Sequence, residues 1–411
     1  MTHSDPANLR RVLADHLTDG GVLKTPAWRE AVESVPRELF LPSFFKDEPG
    51  PNGITQYVPV RQDTDRDERL ALVYQNETLV TQLDGHLTAD TADGPVTGFP
   101  TSSSTMPSTV VGMLESLDVD DGMKVLEIGT GTGYSTALLC HRLGEDNITS
   151  VEVDPAVSQR ADAALETAGY STWTVAGDGL LGHPHRAPYD RTIATCAVRR
   201  IPYAWVRQTK PGGVILATVG PSAWSYGTGL AKLTVKDDGT AEGRIIGRTS
   251  FMPARAEAAV PLSGDLSARA AYADTERRSN LSPDILNDWV PAFLAQLAAP
   301  GTQLVRAVSE SRETVYLFDT AREAFAALTA DGDDWNVRQG GPVAIWDAIE
   351  NALTAWRDAG EPDITTVRME VTPKAHAYWI GGQQITTDAR SYWIGERGGL
   401  RWTHPHPPLS V

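Results

Sequence analysis

Apolar residues near the start of the chain recur at helical spacing. Leu9, Val12, Leu13 and Leu17 form one such set, and Trp28, Ala31, Val32 and Val35 another, so residues 5–40 read as helical. Pro36 closes that segment, and Leu41-Pro42 leads into a Pro- and Gly-rich stretch through Gly53. Short apolar runs at Leu70–Tyr74 and Glu77–Leu83 stand between polar loops. The small-residue run Thr97–Pro107 reads as a loop, with Pro107 opening a helix through Val110, Val111, Met113 and Leu114.

From Met123 the pattern alternates between strand and helix. Strands are predicted at Lys124–Ile128, Ile148–Val153, Trp173–Ala176, Arg191–Thr195 and Val214–Val219. Helices are predicted at Tyr134–Leu143, Pro155–Ala168 and Pro202–Gln208. The fold class that follows is α/β, a Rossmann-like domain with a helical N-terminal region and an α+β C-terminal domain. Expected boundaries are 1–100 for the N-terminal helical and loop region, 101–252 for the Rossmann-like domain, 253–281 for a linker or peripheral segment and 282–411 for the C-terminal domain. In that last domain the pattern predicts helices at Ile285–Leu297 and Val343–Trp356, and strands at Leu304–Val308 and Thr314–Phe318. Six of the eleven tryptophans (Trp335, Trp346, Trp356, Trp379, Trp393, Trp402) fall there, enough aromatic material for a core or for a binding face.

Composition narrows the function classes. A length of 411 residues predicts more than one domain. A formal net charge of −17 argues against general affinity for nucleic acid, which needs a surplus of Lys and Arg. No apolar run approaches membrane-spanning length and no signal-like N-terminus is present, so a cytoplasmic protein without a membrane partner is expected. Cys140 and Cys196 sit in apolar surroundings and read as small buried hydrophobes. His183 and His185 lack a third ligand nearby, so no metal is expected.

The stretch Val125-Leu126-Glu127-Ile128-Gly129-Thr130-Gly131-Thr132-Gly133 carries the chemistry. It follows an apolar strand and precedes a helix, where glycine admits a ligand close to the backbone and helix N-terminal amides face it. Glu127 stands two residues before the first glycine of the turn, suited to a cationic group or its waters. Glu152 ends the second strand, where an acid meets ribose hydroxyls, with Val153 beside it. Asp178, followed by Gly179, ends the third and can accept from an adenine amino group. Acids at three successive strand ends favour S-adenosylmethionine over NAD or FAD, because a dinucleotide site needs neither the acid before the turn nor the Gly-Asp-Gly loop. The blander alternative makes them helix caps or solvated loop ends.

Val125–Tyr134, Ser150-Val151-Glu152, Gly177-Asp178-Gly179, Ala187-Pro188-Tyr189-Asp190-Arg191 and Gln208–Gly213 resemble protein L-isoaspartyl O-methyltransferases over roughly residues 100–252. The resemblance implies S-adenosylmethionine as methyl donor and a peptide-borne carboxylate as acceptor. Repair enzymes of that family carry Thr-Ile-Ser-x-Pro, whose serine touches the substrate carboxylate. Alignment on proline puts Thr105 at that serine, preceded by Ser102-Ser103-Ser104. This departure, the extension after Phe251 and the segment Leu79–Gly85 resemble homologues that modify ribosomally made peptides, first those accompanying ATP-grasp (graspetide) ligases and next a lanthipeptide-associated group. That likeness implies esterification of an Asp side chain in a precursor peptide already cyclised by a partner ligase, leading to aspartimide and possible isoaspartate.

An aspartate carboxylate, with an unperturbed pKa of about 3.9, is ionised near neutral pH and needs no general base. Alignment and exclusion of water then lower the barrier. Neutral hydroxyls orient such a nucleophile without locking it in an ion pair, which makes Thr105, Ser104 and Ser103 the candidates for substrate contact. A Ser/Thr-rich loop that only caps the helix from Pro107 is the alternative. Cys196, Ala197 and Val198 are expected to line the pocket floor, with Arg199 beside an acidic peptide or simply solvated. Two further readings stand against peptide tailoring: general repair of isoaspartyl damage, and an inactive S-adenosylmethionine-fold scaffold.

Overall fold

The structure is a computed structural model that describes residues 5–405 apart from 223, 225, 260–261, 263, 310–311, 381–392 and 395–399. Two compact units are present. The first comprises residues up to 195 together with 204–216, the second residues 196–203 and those from 217 onward. These limits differ from boundaries drawn at 252 and 282.

In the first unit, helices α1 (Pro6–Asp19) and α2 (Pro26–Ser34) each begin with proline, whose missing N–H costs nothing at a helix start. Their apolar stripes, Leu13, Ala14 and Leu17 on one and Trp28, Ala31 and Val32 on the other, are buried. An antiparallel sheet follows, from β1 (Phe44–Pro49), β2 (Thr55–Val60), β3 (Leu79–Leu83) and β4 (Pro100–Ser104), in the order β2-β1-β3-β4. Helix α3 (Arg66–Val73) lies between β2 and β3 in the chain. Phe45, Val80, Leu83, Ala89 and Ala92 pack as a small core in this region. The serine run expected as a loop is therefore strand β4, because it finds a partner in β3, with Val80 opposite Ser103 and Leu79 opposite Ser104.

Helix α4 (Pro107–Leu117) leads to the Rossmann-like part: β5 (Val125–Ile128), α5 (Tyr134–Leu143), β6 (Ile148–Glu152), α6 (Pro155–Thr167), β7 (Trp173–Ala176), β8 (Tyr189–Val198), α7 (Tyr203–Gln208) and β9 (Thr209–Val219). Every residue of β5 and β6 is buried, as expected of parallel strands covered on both faces. β5 pairs in parallel with β6 on one side and β8 on the other, β6 pairs with β7, and the order is β9-β8-β5-β6-β7. The chain reverses direction of growth between β5 and β8, and in open α/β sheets such a switch point is where ligands bind.

The second unit contains β10 (Gly229–Val235), β11 (Ala241–Arg248), α8 (Leu266–Arg269), β12 (Thr275–Ser279), α9 (Trp289–Ala298), β13 (Gln303–Ser309), β14 (Arg312–Asp319), β15 (Ala324–Asp331), β16 (Asp334–Gly340), α10 (Ile345–Asp358), β17 (Arg368–Val371), β18 (Ala375–Ile380), β19 (Trp393–Ile394) and β20 (Leu400–Pro405). β10, β11, β17, β18 and β20 pair antiparallel in that order. A five-stranded antiparallel sheet runs β12-β16-β15-β14-β13. The segment expected as a linker thus supplies β12, a strand because Thr275–Ser279 pairs with residues 335–339. The hairpin β15–β16, absent from the sequence reading, turns at Gly332 with φ 66°.

Helix α9 is buried from Val290 to Ala298, and α10 buries Ile345, Trp346, Ile349, Ala352, Leu353 and Trp356. Trp346 and Trp356 are therefore core residues, while Trp335 and Trp379 are half-buried. The side chains of Trp393 and Trp402 lie outside the described residues.

Candidate functional site

The turn after β5 carries three glycines in the left-handed region: Gly129 (φ 93°), Gly131 (φ 56°) and Gly133 (φ 90°). Side chains are disfavoured there by clash with the backbone. Neighbours stand at ordinary contact distance. A Cβ on Gly133 would stand 3.4 Å from both Leu165 and Phe40, and one on Gly131 would stand 3.4 Å from the carbonyl oxygen of Ser103. The turn thus abuts strand β4, and Gly133 opens helix α5 with no side-chain cap, leaving its first amides available to a ligand.

The three strand-end acids have different situations. Glu127 is fully buried and accepts from Ser135 (2.6 Å), Thr136 (2.5 Å) and Ser150 (2.7 Å) hydroxyls. Burial raises its pKa, and the three hydroxyls oppose that rise. The sequence reading set it beside the cationic end of a cofactor or its waters; in the structure it is enclosed by side chains of the flanking elements. The carboxylate turns inward because those hydroxyls from α5 and β6 replace its lost hydration, and its role is to hold the turn's flanking elements together.

Glu152 accepts from the Gly131 amide (3.0 Å) and the Asp154 amide (3.1 Å), which ties the end of β6 to the glycine turn. Val153 follows it with 43% of its surface exposed, an apolar face next to an acid. Asp178 is exposed and caps the short 3-10 turn Gly179–Leu181 through the Leu180 amide (2.9 Å), so the capping alternative applies to this acid without consuming both its oxygens. Gly179 is needed for contact, since a Cβ there would stand 2.5 Å from Ile128 Cγ2. Thr130 is buried and its hydroxyl meets that of Ser150 at 2.7 Å.

Ser103 and Thr105 are half-buried, whereas Ser104 is 3% exposed and lies inside the fold, so it is not presented as a contact. The capping alternative for the serine run is overturned. Helix α4 is capped from a distant segment: Thr78 Oγ1 accepts from the Met106 amide (3.0 Å) and Asn76 Oδ1 from the Ser108 amide (2.8 Å).

Cys196–Arg199 fall in the second unit. Val198, 1% exposed, belongs to that unit's interior, and the Ala197 amide and carbonyl bond to Met252 and Ala254. Of the residues expected to line the pocket floor, Ala197 and Val198 are thus buried, while Cys196 and the neighbouring Arg199 are half-buried. The Arg199 amide donates to Glu257 at 2.6 Å.

Several supporting residues escaped the sequence reading. Thr195 donates to the carbonyls of Gly129 and Ile128 and anchors the turn. Gln82 donates to Asp154 at 3.1 Å, while Asp154 caps α6 through the Ala156 and Val157 amides. The Asp154-Pro155 dipeptide is an N-cap signature that could have exposed the second of these roles. Arg37, fully buried, had no sequence signal at all.

A glycine turn at the switch point, an acid bound to its amide and an exposed apolar residue beside that acid fit a nucleoside and its amino-acid tail. Fold and site define a Rossmann-like, S-adenosylmethionine-dependent carboxyl O-methyltransferase. The family model described as Protein-L-isoaspartate(D-aspartate) O-methyltransferase (PCMT) matches residues 90–259. The protein-L-isoaspartate O-methyltransferase of Ignicoccus hospitalis is 31% identical over 212 residues, covering 51% of this chain and 81% of the relative. That of Dictyoglomus turgidum is 31% identical over 249 residues, covering 60% and 91%. The chain belongs to the protein-L-isoaspartate O-methyltransferase family. A solved structure under the same name is 24% identical, covers 88% of this chain and 96% of that one, and has a TM-score of 0.49. Among the described residues no helix is long and apolar enough to cross a membrane.

Proposed function

We propose that the protein methylates an aspartyl-type carboxylate in a peptide, with the L-isoaspartyl residue as the acceptor that its family favours. The carrying observation is the abutment of the hydroxyl-bearing strand β4 on the glycine turn at Ser103 and Gly131, with Thr105 half-buried at the strand's end. Gly129, Gly131, Gly133 and the α5 amides would hold the amino-acid end of S-adenosylmethionine, Glu152 the ribose, and Val153, Asp178 and Gly179 the adenine. The bound cofactor supplies an electrophilic methyl group on a sulfonium.

Thr105 and Ser103 would orient the acceptor. Their hydroxyls donate to one carboxylate oxygen and leave the other free as nucleophile, and being uncharged they do not lock it in an ion pair. The carboxylate arrives ionised, so no residue of the chain needs to remove a proton. Water is kept out by the buried flank of β4, where Ser102 and Ser104 face inward.

A second reading keeps the chemistry and changes the acceptor to an Asp side chain in a modified precursor peptide, cyclised beforehand by a ligase. It is favoured by the second unit, most of which lies beyond residue 259, where the family match ends. Cys196 and Arg199, in that unit, are candidates for peptide contact under either reading.

Mass spectrometry of methyl transfer to an L-isoaspartyl peptide, its matched Asp peptide and a ring-closed precursor separates the readings. Ester on the isoaspartyl peptide alone supports the first. Ester on the precursor, followed by loss of methanol to an imide, supports the second. Absence of transfer to all three, with intact cofactor binding, would sink both in favour of a scaffold. Thr105→Val should lower kcat/KM by about tenfold or more, the worth of a lost hydrogen bond to a charged group, with cofactor affinity unchanged.

A further inference from the structure

Beyond the substrate contact itself, something must hold Thr105 at its place where β4 passes into α4. Arg37 is fully buried, and its guanidinium donates to three alternate carbonyls of one segment: Val73 (2.5 Å), Gln75 (3.1 Å) and Glu77 (3.3 Å). The same group reaches the Thr105 carbonyl and the Ser104 hydroxyl, both at 3.4 Å, and its carbon lies 5.7 Å from the centroid of the Tyr134 ring, one residue past the glycine turn. Burial lowers its pKa only to about 10, so it stays charged at neutral pH.

The residues alternating with those carbonyls face the other way in function. Asn76 and Thr78 accept from the Ser108 and Met106 amides, on either side of Pro107, which has no amide to offer. One short segment is therefore pinned by Arg37 through its backbone while its side chains pin the start of α4. Thr105 lies two residues before Pro107, next to the N-cap residue Met106.

We propose that Val73–Thr78 is a template for the Thr105 junction, with Asn76 and Thr78 as positioning residues for methyl transfer and Arg37 as the anchor that sets the template. The inference rests on the reading of Thr105 as substrate contact. Its physical basis is that displacement of an orienting group by about 1 Å costs on the order of a hundredfold in rate. A lysine at position 37 keeps the charge but is a point donor and cannot span the carbonyl row.

The test uses Asn76→Ala/Thr78→Val, which leaves the core untouched because Thr78 is exposed and Asn76 half-buried. Methyl-ester formation on whichever peptide the wild type accepts is measured beside S-adenosylmethionine affinity and melting temperature. Expected are a kcat lower by about tenfold to a hundredfold, cofactor affinity within about twofold, and recovery in Asn76→Asp/Thr78→Ser, which restores both acceptor oxygens. Arg37→Lys should show the same split between kcat and cofactor affinity. Full activity in Asn76→Ala/Thr78→Val beside a crippled Thr105→Val overturns the template and leaves the contact reading standing. A crippled Asn76→Ala/Thr78→Val beside a fully active Thr105→Val overturns the contact reading and with it the template, since no contact at Thr105 is left to position. Lower melting temperature with unchanged kcat per folded molecule means a structural role only, and also overturns it.

Discussion

The amide of Gly131 donates to the carboxylate of Glu152 at 3.0 Å, joining the glycine turn to the end of the next parallel strand. One acid thus organises the turn, through its bonds to the Gly131 and Asp154 amides, and under the proposed function it also holds the ribose. Glu152→Gln should therefore weaken S-adenosylmethionine binding by about ten- to a hundredfold, the worth of one or two hydrogen bonds to a charged acceptor. Isothermal titration measures this, and an unchanged affinity would remove Glu152 from the cofactor site.

Glu127 makes a stability prediction with a definite sign. Its folded pKa is raised by burial, so the folded state holds the proton more tightly than the unfolded chain. Its contribution is complete below the unfolded value of about 4.3 and is lost as pH rises through the folded value. The melting-temperature difference between wild type and Glu127→Gln should accordingly shift against wild type from about pH 4.5 to neutral. A difference that moves in favour of wild type over that range would contradict the burial seen here.

Gly179 packs its α-carbon against Ile128, with no room for a methyl group. Gly179→Ala should cost about 1–3 kcal/mol through overpacking, lowering the melting temperature by several degrees. It should also disturb the loop of Asp178, because the Gly179 carbonyl is held by Trp205 Nε1 at 2.8 Å. Ile128→Leu removes the opposing Cγ2, so the double variant should be less destabilised than the sum of the two, read by a double-mutant cycle.

In the second unit Trp346 is fully buried on α10, its Nε1 3.4 Å from the Ser279 hydroxyl. Trp346→Ala should cost about 3–5 kcal/mol. Hydrogen exchange should show the loss in α9, α10 and β12; protection unchanged in those elements would mean that this core is not the unit's main support.

The class of protein was legible in the sequence because its signals are local. A buried strand, glycines with positive φ and a helix start lie within about a dozen residues, and backbone sterics alone require the glycines there. The places of Glu152 at the end of β6 and of Asp178 just past β7 follow from the same logic, since strand ends follow from the apolar pattern. What tertiary structure decided is where distant residues meet. Glu127 is only an acid inside an apolar strand in the pattern, and it is the fold that closes Ser135, Thr136 and Ser150 around it. The serine run looked like a loop, yet β3, about twenty residues earlier, makes it a strand, for strand formation depends on the partner more than on intrinsic preference. The alternative that the Ser/Thr-rich run only caps the helix from Pro107 falls to Asn76 and Thr78, which bond the amides at that helix start. Arg37 left no trace in the pattern, because a guanidinium can be buried only where a folded backbone has already gathered enough carbonyls to replace its water.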